Sequence, residues 1–208
     1  MSIEDLNNEL GNIDIYLLDQ ILKGRYQQTD KILDAGCGEG RNLVWFLRNN
    51  YNVFGVDKNS SAIKMLHFVA RTINPALPKD NFIISNLEHT SFPDLSFEAI
   101  ISSAVLHFAE NEMHFYQLFD EMIRLLKFEG NLFIRMASNI GAEDKIEAHK
   151  DMQTLLPDGS TRFLLSRNIL DNLIKKYPIL PVEPIKTVNV QDERFMSTLV
   201  FQKKSRKA

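Results

Sequence analysis

A chain of 208 residues, 44% hydrophobic and 25% charged, is long enough to bury one ordinary core and is read as a single domain over 1–208. A net charge of -3 argues against a nucleic-acid partner, whose footprint is a basic patch or stripe, and the one cysteine, Cys37, excludes an intrachain disulfide and a cysteine-based metal site. The histidines show no paired ligand spacing, no apolar run approaches a membrane span, and no leader-like segment opens the chain, so the expectation is a cytoplasmic protein with no metal and no membrane contact.

Ile3, Leu6, Leu10, Ile13, Leu17, Leu18, Ile21 and Leu22 recur at helical spacing, with Gly11 as a break. They predict one or two helices beside the main sheet, an N-terminal helical segment over 1–28. The apolar run at 31–36 predicts the first strand. It turns into Gly36-Cys37-Gly38-Glu39-Gly40, and a helical stripe of Leu43, Phe46 and Leu47 follows over 42–50. Residues 52–57 predict the second strand, which ends on Asp57. Ser60 or Ser61 is placed to cap the next helix, which ends at Asn74-Pro75 because the residue before proline avoids the helical region.

Strands are predicted at 81–85 and 97–103, with a turn at Pro93-Asp94-Leu95-Ser96 between them. A helix over about 111–127 is stopped by Gly130, and 131–137 predicts a fifth strand. Ser166 caps a helix through Tyr177, and strands near 183–190 and 195–203 finish the chain. Strands that alternate with helices predict a doubly wound α/β fold, a mostly parallel sheet with helices on both faces. The last two strands lack a helix between them, so one is expected to run antiparallel. The irregular stretch 138–165 lies on the strand-end side, where open α/β sheets bind ligands, and is read as a substrate lid or a surface elaboration. The basic run Lys203-Lys204-Ser205-Arg206-Lys207 is read as a solvated tail.

The chemistry is concentrated at the first two β-α units. Glycines at a bend let the backbone approach a ligand, and a carboxylate at the end of the next strand can hold a ribose. A dinucleotide site wants Gly-x-Gly-x-x-Gly, whose third glycine would fall at Arg41. The glycines stand instead at 36, 38 and 40, with Asp34 two residues before the first. Asp34-Ala35-Gly36-Cys37-Gly38-Glu39-Gly40 resembles the first motif of the class I S-adenosylmethionine-dependent methyltransferases. That resemblance implies a Rossmann-like sheet of seven strands, one of them antiparallel. It also implies S-adenosylmethionine as cofactor, S-adenosylhomocysteine as product, and methyl transfer as the activity.

The resemblance places the methionine part of the cofactor against Asp34, Ala35, Gly36, Cys37 and Gly38, with Asp34 orienting the loop or a bridging water. Cys37 is read as a small residue that fits the bend, not as a nucleophile. Asp57 accepts from both ribose hydroxyls and Lys58 packs on the adenine. Asn86-Leu87 falls where the family reads the adenine, and Asn stands there in place of the usual Asp. Gly-Cys-Gly-x-Gly-Arg-Asn recurs in methyltransferases of the tellurite-resistance type, which puts Arg41 and Asn42 near the cofactor carboxylate. Ser102-Ser103-Ala104-Val105-Leu106-His107-Phe108, after the fourth strand, resembles the family's fourth motif in its small-molecule branch, which puts the Ser103 backbone carbonyl at the methionine end. His107 is read as a general base or, in preference, as a structural or substrate-orienting group. A small-molecule acceptor is expected, because the Asn-Pro-Pro-Tyr tetrad of the amino-methylating DNA and protein enzymes is missing. The alternatives are methylation of RNA or protein, and a sensor that binds the cofactor without transfer.

Overall fold

The computed structural model describes residues 2–205. Two short helices open the chain, α1 (Ile3–Leu10) and α2 (Ile15–Leu22). Then come β1 (Lys31–Ala35), α3 (Val44–Arg48), β2 (Asn52–Asp57), α4 (Ser60–Ile73), β3 (Phe82–Ile84) and β4 (Phe97–Ser103). Helix α5 (Glu112–Leu125) runs directly into β5 (Leu126–Ala137). Two-residue strands β6 (Thr154–Leu155) and β7 (Thr161–Arg162) precede α6 (Arg167–Lys176), and β8 (Ile179–Pro181), β9 (Lys186–Val190) and β10 (Arg194–Lys203) complete the order.

The main sheet runs β3-β2-β1-β4-β5-β10-β8, with β9 also on β10. β1 to β5 pair in parallel, and β10 is antiparallel to β5. β8 pairs with 201–203 of β10 and β9 with 194–198, so the two lie end to end along one edge. They behave as one strand interrupted at 182–185. Pro184, which has no N–H to donate, sits in that interruption. The seventh position of the expected sheet is therefore filled by two pieces. One of them, β8, falls in a stretch with no predicted strand.

Each face of the sheet is covered by an apolar cluster. One joins Leu33, Ile100, Phe119, Met122 and Ile134, and the other joins Ile32, Phe46, Val53, Leu66 and Ile101. Strands buried on both faces read as continuous apolar runs, which is why β1 and β4 were visible in the sequence.

Three local expectations are corrected. Asn59, not Ser60 or Ser61, caps α4, its Oδ1 accepting from the Ser61 and Ala62 N–H groups. Helix α5 ends at Leu125, short of Gly130. Gly130 instead meets β4 closely, since a Cβ there would lie 2.8 Å from the Glu98 carbonyl oxygen. Lys203 is no solvated tail. It is 6% exposed, and its Nζ donates to the Ile123 and Leu126 carbonyls at 2.7 Å each, satisfying the end of α5. Arg206 and Lys207 of the same run lie outside the described residues.

The stretch 138–165 folds over a small core of Ala142, Ile146, Leu156 and Leu164 against Phe195 and Met196. The Pro157-Asp158-Gly159-Ser160 turn joins β6 to β7. Hydrogen bonds tie the stretch to the loop after β4 and to the start of α5: Phe163 N–H donates to the His107 carbonyl, Gln153 Nε2 to the Phe108 and Ala109 carbonyls, and Glu112 N–H to the Lys150 carbonyl. No helix among the described residues is long and apolar enough to cross a membrane.

Candidate active site

The strand order reverses between β1 and β4, and open α/β sheets bind ligands at the carboxyl ends of the strands at such a point. A cleft of about 480 Å³ opens there, a size typical of small-molecule sites. Gly36, Val56, Asp57, Lys58, Leu87, Val105 and Phe108 are among the residues that line it.

The bend after β1 is held from β2. The Gly36 and Cys37 N–H groups donate to the Val56 carbonyl. Asp57 Oδ2 accepts from Gly38 N–H at 2.9 Å, and its Oδ1 accepts from Asn59 N–H at 2.8 Å. This fixes the Asp57 carboxylate in the cleft wall while leaving lone pairs for two further donors. The Cys37 thiol rests on Gly55, where a Cβ would lie 2.8 Å from Sγ. Burial pushes this thiol up, with Asp34 and Asp57 adding to the effect, so it stays protonated and inert.

Asp34 is 1% exposed, and its Oδ2 has no hydrogen-bond partner among the described residues. Burial raises its pKa to about 7; Arg41 opposes the rise and Asp57 adds to it. A buried carboxylate oxygen without a donor is costly, and a ligand ammonium would satisfy it. Ala35 is buried in β1 behind it.

Arg41 and Asn42 turn toward the N-terminal segment. Arg41 Nη1 donates to the Asn12 carbonyl at 3.3 Å and Nη2 to Ser103 Oγ at 3.2 Å. Asn42 is buried, and its Oδ1 accepts the Asp14 N–H at 3.0 Å. The residue that gathers these groups, Asp14, was not singled out in the sequence. Its side chain is fully buried, and Oδ2 accepts from Ser103 Oγ at 2.9 Å and from Arg135 Nη1 at 3.0 Å. Its Oδ1 caps α2 through Tyr16 N–H, and the Arg135 guanidinium lies 5.1 Å from the Tyr16 ring centre. The Asp14 carboxylate thus joins α2, the end of β4 and the end of β5, and the Asp14 backbone N–H adds the segment after the glycine bend through Asn42. Asp14→Ala is expected to cost about 3–5 kcal/mol in urea unfolding, because it strands the Arg135 charge and the Ser103 hydroxyl. A loss below about 1 kcal/mol would show that the cluster carries no structural weight.

His107 is 6% exposed and lies outside the cleft lining. Its Nδ1 accepts from Ala137 N–H at 3.3 Å, at the end of β5. Burial lowers its pKa to about 4, helped by Arg162 and Arg194, so the ring is neutral at physiological pH. Asn86 is exposed and also outside the lining, while Leu87 beside it is buried within it. Sequence reasoning missed Val105, Phe108, Leu118, Glu88 and His114, all of which line the cleft. The apolar character of 105–108 was the available signal.

A family model described as a methyltransferase domain matches residues 33–134. No curated protein matches the chain. Among solved structures, a S-adenosylmethionine-dependent methyltransferase from Methanosarcina mazei is similar, with a TM-score of 0.68 and 22% identity over 88% of this chain and 97% of that one. So is the 1,6-didemethyltoxoflavin-N1-methyltransferase of Burkholderia thailandensis, crystallised with 1,6-didemethyltoxoflavin and S-adenosylhomocysteine (TM-score 0.70, 15% identity, 97% of this chain and 82% of that one). A third is the geranyl diphosphate C-methyltransferase of Streptomyces coelicolor, crystallised with Mg2+, geranyl diphosphate and S-adenosylhomocysteine (TM-score 0.64, 15% identity, 91% of this chain and 77% of that one).

Proposed function

We propose that this chain, a class I S-adenosylmethionine-dependent methyltransferase by its matched domain and its fold, transfers a methyl group to a small organic acceptor. The observation that carries the reading is Asp57, pinned by the Gly38 and Asn59 N–H groups in the wall of a cleft of matching size. Acceptor size is argued from the net charge of -3, which does not favour RNA, and from two similar structures whose own ligands are small molecules.

The cofactor brings a methyl already activated by a positive sulfonium. The protein's share is then mostly positioning and exclusion of water. In this reading Asp57 accepts from the two ribose hydroxyls. Asp34 faces the ammonium of the methionine part, and the bend at Gly36 and Gly38 lets the backbone close on the ligand. Lys58 lies along the base, and Leu87 and Val105 offer it apolar walls. Arg41 and Ser103 stand at the methionine end. The 138–165 stretch, tied to the loop after β4, closes the acceptor side. His107 holds the end of β5 through Ala137 N–H and moves no proton. We read 1–208 as one domain, with the N-terminal helices as part of its site.

Calorimetry with S-adenosylhomocysteine tests the binding. Asp57→Ala is expected to weaken it by about 1.5–3 kcal/mol, the range for hydrogen bonds to a charged group. Unchanged affinity would remove the ribose assignment. Incubation with methyl-labelled cofactor and a panel of metabolites tests the transfer. Label recovered in a small molecule supports the proposal, and tight binding with no labelled product in any pool would favour a sensor.

A further inference from the structure

We propose that the amino edge of the cofactor's adenine is read by Glu88, held in place by His114, and not by the side chain at position 86. This rests on the reading of the cleft as an S-adenosylmethionine site. The wall beyond Asp57, on the β3 side, is where the base would lie. Ser85, Leu87 and Glu88 line it, whereas Asn86 points to solvent. His114, from the first turn of α5, faces Glu88 across the mouth.

The hydrogen bonds determine which atoms remain for a ligand. Glu110 N–H donates to His114 Nδ1 at 3.2 Å, so the ring proton sits on Nε2. Nε2–H then donates to Glu88 Oε1 at 2.9 Å. His114 is itself fixed, its own N–H donating to Asn111 Oδ1. Glu88 Oε2 accepts no hydrogen bond among the described residues, and the Glu88 side chain is 39% exposed, open to the cleft. Leu87, Val105 and Leu118 supply apolar surface for the faces of a planar base. A carboxylate at the edge of such a slot accepts from an exocyclic amine and opposes a carbonyl in the same place. The missing acid at 86 is thus replaced by one two residues later, on the side of the loop that faces the ligand.

The experiment compares S-adenosylhomocysteine with its deaminated 6-oxo analogue, S-inosylhomocysteine, by calorimetry. The wild-type chain is expected to favour the amino form by about a hundredfold or more, because the 6-oxo form leaves the carboxylate unpaired. Glu88→Gln, whose amide can turn to donate, is expected to lower the affinity for the amino form about tenfold and to shrink the preference below about tenfold. His114→Ala is expected to weaken the preference in the same direction, and His114→Gln, which still donates, to restore part of it. Asn86→Ala should leave both affinities unchanged. Full discrimination retained in Glu88→Gln, or lost in Asn86→Ala, overturns the assignment. A wild-type chain that binds neither compound overturns the cofactor reading and this assignment with it. Binding of the amino form with no preference overturns the assignment alone. Thermal unfolding of each variant separates these results from misfolding.

Discussion

Gly38→Val is expected to abolish binding of S-adenosylhomocysteine, by about a hundredfold or more, in a chain that still folds. A Cβ built on Gly38 meets no atom within 4 Å, so a branched side chain there enters open space beside Asp57, whose Oδ2 accepts from Gly38 N–H, and clashes with no part of the protein. The Gly38 φ of +52° is left-handed, and an L side chain in that region costs about 1–2 kcal/mol. Thermal unfolding should therefore drop by several degrees without loss of the native state. Gly36→Val provides the contrast. A Cβ there falls 2.4 Å from a Val105 methyl, so that variant fails through packing and unfolds. Calorimetry and thermal unfolding measured together distinguish the two. If Gly38→Val binds within about threefold of wild type, the bend is not the ligand's wall.

Cofactor affinity is expected to rise with pH between about 5.5 and 7 and to level off above, because Asp34 ionises with a pKa of about 7 in the ligand-free chain. The ligand ammonium, charged throughout that range, favours the ionised carboxylate, so below pH 7 binding must first release a proton. The slope approaches tenfold per pH unit at its steepest. The same group acts on stability with the opposite sign. Its folded pKa lies above the unfolded value of about 3.9, so the folded chain holds more protons between those limits. Ligand-free stability thus falls as pH rises from about 4 to 7, by on the order of 4 kcal/mol at most. Asp34→Asn is expected to flatten both curves and to weaken the ligand at pH 8. A pH-independent affinity in wild type, measured by calorimetry in two buffers of different ionisation enthalpy, would show that Asp34 does not meet the ammonium.

The glycine bend and Asp57 were legible because each belongs to a single β-α unit. An apolar run, a break and an acid at a strand end are set by neighbours in the chain, and the bond from Gly38 N–H to Asp57 spans only 19 residues. The caps of α2 and α6 were equally local in origin, yet only Ser166 was identified; Asp14 was hidden inside a helical stripe. Asn59 was passed over for the serines beside it, although its Oδ1, reaching forward to the Ser61 and Ala62 N–H groups, suits the role.

The position-86 assignment shows a different limit. Counting from the end of β3 locates the loop, but which of its side chains faces the cleft depends on how the loop is anchored. Glu121 Oε1 accepts from Thr90 N–H at 2.7 Å and from Thr90 Oγ1, and Arg124 Nη2 donates to the Phe92 carbonyl at 3.0 Å. With these tethers to α5 in place, Leu87 and Glu88 line the cleft and Asn86 is exposed outside its lining. Lys203 is a similar case: a lysine in a basic run looks solvated until β10 delivers it to the end of α5.

By itself the amino-acid sequence determined the order of β1 to β5 and of the helices between them, the bend after β1 and the acid that closes β2, since periodicity, glycine placement and strand length are properties of contiguous residues. The tertiary structure alone decided the Asp14 cluster, whose bonds to Ser103 and Arg135 span 89 and 121 residues, the neutral His107 and the facing of Glu88 toward His114. The physical reason is that burial and charge pairing belong to positions in space, and chain-distant residues acquire them only when the sheet brings their ends together.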